Sequence, residues 1–117
     1  MENISKTFIE VPYFTKKWFE LGFNDDDLAR LQYRLAKDPK LGAMMQGTGG
    51  IRKIRFAIKG KRKSSGARVC YVDFAVFDTI YFISVFSKNE KENLTNEEKN
   101  ILKTLVKELK DECAKKK

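Results

Sequence analysis

The sequence predicts an α+β domain. The expected architecture is a small antiparallel sheet of three to five strands, an N-terminal helical hairpin and a C-terminal helix. Two observations carry this. One strand-like run is followed by two short amphipathic helical patterns, then three or four consecutive strand-like runs, then one long helical pattern; segregated helices and hairpin-linked strands make an α+β fold. The chain has 117 residues, 42% hydrophobic and 12% aromatic, with nine Phe, which is one domain able to bury a real core. Residues 1–117 show no linker, internal repeat or low-complexity segment, so a single domain is expected.

The elements follow in order. Thr7 to Val11 reads as a short strand. Pro12 suits the first turn of a helix running to about Leu21, with Phe14, Trp18 and Leu21 at i, i+4 and i+7 on one face and Gly22 as a stop. Asn24 can cap a second helix whose first turn holds Asp25, Asp26 and Asp27, favoured by the helix dipole. Adjacent carboxylates at a helix start point in different directions, so capping is the expected role of the Asp triplet, not metal binding. Leu28, Leu31 and Leu35 form the apolar stripe, and Asp38-Pro39 ends the run. Ala43 to Gln46 is a candidate short strand. The GTGG at Gly47 to Gly50 reads as a turn or bulge; it lacks the Lys-Ser/Thr and strand-to-helix context of a phosphate loop.

Ile51 to Ile58 alternates as a strand, with Arg52, Ile54, Phe56 and Ile58 on one face and Lys53, Arg55 and Ala57 on the other. Lys59 to Gly66 is a basic loop. Ala67 to Phe74 and Thr79 to Phe86 form an expected hairpin, linked through Ala75 to Asp78. Arg68 shares a face with Cys70 and Val72; strict alternation puts Phe82, Phe86 and Lys88 together. Lys88 to Asn93 is a polar turn. Thr95 and Glu98 form a capping box for a helix to about Asp111, striped by Ile101, Leu102, Leu105, Val106 and Leu109. Residues 114–117 read as a frayed basic tail. The helices are expected on one sheet face, leaving the other partly open to carry cations.

The charge balance narrows the function. The formal net charge is +8, which favours an anionic partner. No Asp or Glu occurs between Asp38 and Asp73, and Gly47 to Tyr71 holds Arg52, Lys53, Arg55, Lys59, Lys61, Arg62, Lys63 and Arg68. A strand pair with outward cations and a cationic loop suits a polyanion. There is no His, which removes His-based triads, zinc-finger patterns and the usual imidazole base. Cys70 and Cys113 read as two reduced thiols of a cytoplasmic protein, not a disulfide or metal site. No cofactor is expected. No run approaches the roughly 20 apolar residues of a membrane span, and MENISKTFIEV is not expected to be a secretory signal.

Three segments in this order, GTGGIRKIRFA, KGKRKSSGARVCY and ISVFSKNEKENL, together with the preceding LQYRLAKDPKLGAMMQG, resemble the RelE/HigB family of bacterial toxins, closest to its HigB-like branch. The resemblance covers most of the chain. It implies a small α+β fold with a curved antiparallel sheet. It also implies a metal-independent mRNA endonuclease working in the ribosomal A site, with mRNA and rRNA as partners. A cognate antitoxin, of the helix-turn-helix HigA-like kind, would hold it inactive. Arg52, Lys53 and Arg55 match the family's RKIR strand. Lys59, Lys61 and Lys63 fall in its basic loop, with Arg62 and Ser65 as departures. Arg68 matches the arginine opening the next strand, and Lys88 the lysine of the YxKNE-like segment. The position two before Lys88 is often Tyr in relatives and is Phe86 here, so it can stack on a base but cannot exchange a proton.

Cutting RNA without a metal can use the neighbouring 2′-OH as nucleophile. The protein must then take that proton, neutralise charge growing on phosphorus and protonate the leaving 5′ oxygen. Crowding by cations disfavours a lysine's charged form, which makes Lys53 beside Arg55 the candidate base. Arg55 and Arg68 are candidate phosphate clamps. Lys88 is the candidate for the leaving group. Arg52, Lys59, Lys61, Arg62 and Lys63 are candidates for holding rRNA or mRNA, with Phe86 stacking on a base. From the residues alone, Lys53, Arg55 and Arg68 support binding; their catalytic roles rest on the resemblance. Two other readings stand beside it: a ParE-like toxin inhibiting gyrase, and a non-catalytic RNA- or ribosome-binding protein.

Overall fold

The computed structural model describes residues 6–57, 66–87 and 94–116. Strand β1 (Thr7–Glu10) leads into helix α1 (Pro12–Glu20). Val11 at its N-cap offers no side-chain hydrogen bond, and Pro12 compensates by needing no N–H partner in the first turn. Phe14 and Trp18 are fully buried and stack at 5.5 Å, and the Trp18 indole Nε1 donates to the Asn24 carbonyl at 3.0 Å. Gly22, at φ +92°, makes the left-handed turn that a Cβ would strain.

Helix α2 (Asp25–Lys37) starts on a full capping box. The Asn24 side chain accepts from the Asp27 N–H, and the Asp27 carboxylate accepts from the Asn24 N–H. That is the capping role expected of the Asp triplet. Leu28, Leu31 and Leu35 are its buried stripe. A two-residue strand β2 (Ala43–Met44) and the GTGG turn feed β3 (Ile51–Phe56). The buried Thr48 hydroxyl ties that turn, donating to Met45 O at 2.7 Å and accepting from Ile51 N–H at 3.0 Å. Strands β4 (Ala67–Phe74) and β5 (Thr79–Ser87) flank a 3₁₀ turn, Ala75–Phe77, and α3 (Asn96–Lys115) closes the chain. Helix α3 outruns its expected end at Asp111 because buried Cys113 adds another turn of packing.

The sheet order is β1-β5-β4-β3-β2. Neighbours are antiparallel except β1, which runs parallel to β5, so the sheet is mixed. The β4–β5 register shifts at one place: Tyr71 faces Phe82 and Cys70 faces Ser84, leaving Ile83 extra. A bulge of this kind reverses the facing of every later residue on the strand. Strict alternation had put Phe82 and Phe86 on one face. Instead Phe82 packs with the helical hairpin and Phe86 with the opposite core. Lys88, the third residue of that expected set, lies outside the described residues.

The two cores also correct the expected layering. Helices α1 and α2 pack on one face, with Ile54, Phe56, Val69, Tyr71 and Phe82 beneath them. Helix α3 covers the other face through Val106, Leu109 and Cys113, over Ile51, Cys70, Val72, Tyr81 and Ile83. The reason lies in the strands: β4 and β5 are apolar on both faces, and a bare second face would leave those side chains in water, at roughly 1.5–3 kcal/mol for each large one.

Candidate functional site

Cross-strand register builds the site. On the α3 face, Arg55 of β3 lies directly opposite Arg68 of β4, and Arg68 directly opposite Phe86 of β5. The next row inward is Lys53, Cys70 and Ser84. Directly opposed residues have Cβ atoms about 5 Å apart, so these two rows form one patch. The third row, Ile51, Val72 and Tyr81, is buried under α3. The cover thins outward along the first row: Phe86 and Arg68 are 7% and 9% exposed, and Arg55 is exposed. Among the described residues, no ion pair holds Arg55.

Four predicted site residues therefore meet: Lys53, Arg55, Arg68 and Phe86. Arg52 does not join them. It lies on the opposite face of β3, and its Nη1 donates to Gly42 O at 2.8 Å and Lys40 O at 3.3 Å, which ties β3 to the loop after α2. Lys59, Lys61, Arg62, Lys63 and Lys88 lie outside the described residues.

Sequence reasoning missed Ser84 and Cys70 as members of the patch. Cys70 was visible on a face with Arg68, but only the bulge brings Ser84 to that face. The Cys70 thiol is pushed up from its ordinary value by burial, with the Ser84 hydroxyl and the Lys53 charge pulling the other way. It is held as an inert thiol, not a nucleophile. The Tyr81 phenol is also pushed up, by burial first and then by Cys113 and Glu112. No neutral-pH base comes from either group.

A groove of about 490 Å³ opens beside Phe86 and Ser84, walled by Val11 and Tyr13 on one side and Leu102 and Leu105 of α3 on the other. Its surface is mostly apolar, with Glu98 the acid in its lining, so the cation patch is bordered by a largely apolar trough. Among the described residues, no group of three or more His, Cys, Asp or Glu could hold a metal ion. None of the described helices is long and apolar enough to cross a membrane.

The arrangement can clamp a phosphate between two guanidiniums and present a lysine beside them. Comparison with known proteins agrees with the fold that creates it. Residues 13–116 match the family model described as the RelE toxin of the RelE / RelB toxin-antitoxin system. Among solved structures, the isolated Escherichia coli RelE toxin is similar at 18% identity and TM-score 0.52, covering 90% of this chain and 99% of that one. The intact E. coli RelBE toxin-antitoxin complex contains a chain similar at 19% identity and TM-score 0.54, covering 76% and 100%. An arginine double mutant of E. coli RelE in the free state is similar at 16% identity and TM-score 0.53, covering 74% and 87%.

Proposed function

Because the chain belongs to the RelE toxin family of the RelE / RelB toxin-antitoxin system, we propose that it is a ribosome-dependent mRNA endonuclease that acts in the cytoplasm and is restrained by a cognate antitoxin. The observation that carries the reading is the row Arg55–Arg68–Phe86 with Lys53 one row inward. A binding protein needs cations; it does not need a lysine amine held beside two opposed guanidiniums on a half-covered face.

In this reading Lys53 takes the proton from the 2′-OH of the nucleotide before the cut. The 2′ oxygen then attacks phosphorus, a 2′,3′-cyclic phosphate forms and the bond to the 5′ oxygen breaks. Arg55 and Arg68 neutralise the charge that grows on the phosphoryl oxygens, and losing one such donor costs roughly 10²–10³ in rate. Lys88 supplies the proton to the leaving 5′ oxygen. Phe86 backs the patch from β5 and lines the groove beside it, where a base would stack. Weak positioning by so few residues accounts for a need for the ribosome, since orienting the substrate is a large share of such a barrier. The antitoxin partner follows from the likeness to the RelBE complex, and a HigA-like helix-turn-helix antitoxin from the HigB-like segments.

The test is translation in a purified system with mapping of mRNA 5′ ends. New ends at A-site codons are expected, and Arg68→Ala should remove them while the protein remains folded. Intact message alongside blocked DNA supercoiling would replace this reading by a gyrase-directed toxin. Ribosome binding with intact message would leave a non-catalytic binder.

A further inference from the structure

The exposed face of α2 carries a second cationic surface that the cutting patch does not use. Arg30, Arg34 and Lys37 are spaced i, i+4 and i+7, so they line one side of the helix over about 10 Å. Tyr33 lies beside them, 61% exposed, with the Lys37 ammonium 5.2 Å from its ring centroid. At the end of β3 this face becomes concave. A hollow of about 450 Å³ is lined by Ala29, Arg30, Tyr33, Arg34, Phe56 and Ala57. The Arg30 guanidinium lies 5.7 Å over the Phe56 ring and is held by the Asp27 carboxylate. Arg30 is thus fixed as a wall, while Arg34 and Tyr33 project outward.

We infer that this hollow is a docking site for structured RNA, taking one unstacked base against Tyr33 and its flanking phosphates on Arg34 and Lys37. The inference rests on the reading of the chain as a ribosome-directed toxin. Three observations favour RNA. An exposed ring between guanidiniums with an apolar floor suits a base, which offers a π-face to the ring and edges to the arginines. The carboxylates nearest in sequence, Asp26, Asp27 and Asp38, leave a cationic excess on the C-terminal half of α2, and Asp27 and Asp38 are engaged with Arg30 and the Lys40 N–H. Ala57, which lines the hollow, is also followed in the sequence by the acid-free stretch holding Lys59, Lys61, Arg62 and Lys63. Helix α2 packs on the opposite sheet face from Arg55 and Arg68. The hollow therefore positions the toxin on its RNA and touches no reacting atom.

The experiment is co-sedimentation of the full chain with purified, message-free 70S ribosomes across a salt series, for wild type, Tyr33→Ala and Arg34→Glu. Both residues are solvent-facing, and thermal unfolding checks that each variant folds as wild type does. Tyr33→Ala should weaken ribosome binding by roughly 5- to 150-fold, the range for one lost base stack. Arg34→Glu should weaken it by roughly five- to tenfold at 0.1 M salt and lower the salt slope by about 0.7–0.9. In the cleavage assay both should raise the ribosome concentration needed for half-maximal rate and leave kcat unchanged. Wild-type affinity in both variants overturns the inference even if the message is cut, as does a wild-type chain that does not bind ribosomes. Loss of antitoxin binding with ribosome binding intact overturns it in favour of a protein interface. A drop in ribosome affinity in a chain that never cuts message leaves the inference standing and removes the nuclease reading.

Discussion

Replacing Arg55 by Gln should make the protein more stable and less active. Arg55 and Arg68 are directly opposed across β3 and β4, and like charges in that position repel. Taking about 6 Å between the two guanidiniums, the repulsion is about 0.7 kcal/mol at the dielectric constant of water, the relevant limit because Arg55 is exposed. Side-chain pairs of this kind change stability by roughly 0.2–1 kcal/mol, so the two estimates agree. For a domain of this size that gain raises the melting temperature by roughly 1–5 °C. The same substitution removes half of the phosphate clamp and should slow cleavage roughly 10²-fold or more. The assay is thermal unfolding by circular dichroism at low and high ionic strength, alongside cleavage. Salt screens the repulsion, so adding it should stabilise wild type more than the variant and narrow the gap between them. A variant with unchanged or lower melting temperature, or a gap indifferent to salt, would refute the argument that the row holds two opposed charges in tension for the sake of binding an anion.

Two further outcomes follow from buried polar groups. Tyr71→Phe removes a hydroxyl that accepts from Gly42 N–H at 2.9 Å and donates to Pro39 O at 2.8 Å, so it should cost about 1–3 kcal/mol in urea unfolding, with the midpoint falling at unchanged slope. Stability should fall on the alkaline side. Cys70, Tyr71 and Tyr81 are each raised in the folded state above ordinary values of 9.0, 10.0 and 10.0, chiefly by burial, so the folded protein holds these protons when the unfolded chain releases them. Their contribution is full below about pH 8.5 and is lost progressively above it; denaturant melts at pH 7, 9 and 10.5 check this, and Cys70→Ala should lose less between pH 7 and 9 than wild type does.

Much of the fold was legible along the chain. Pro12, the Asn24–Asp27 capping pair, the Thr95–Glu98 capping box and the leucine stripe of α2 are local signals, and local signals act within one turn of backbone. The alternation of Ile51 to Phe56 put Lys53 and Arg55 on one face, and the structure keeps them there. The facing of Phe86 was not legible. It depends on one extra residue, Ile83, accommodated between two pairs of the β4–β5 ladder, and a hydrophobic run such as ISVF has no period in which a missing beat could be noticed. Arg52 shows the same limit from the other side: its sequence neighbours are site residues, while its guanidinium is turned to backbone carbonyls twelve and ten residues away.

The sequence by itself determined the kinds of elements, the excess of cation over acid, the lack of any imidazole and hence the lysine-and-arginine character of any chemistry. These depend on residue identity and on periods of two or 3.6, which survive in any tertiary context. Only the tertiary structure decided that α3 lies over the cationic face, that a bulge brings Ser84 and Phe86 into line with Cys70 and Arg68, and that α2 presents its own arginines to a separate hollow. Those outcomes turn on which surfaces bury each other and where two strands slip by one residue, and both are settled by packing between segments far apart in the chain.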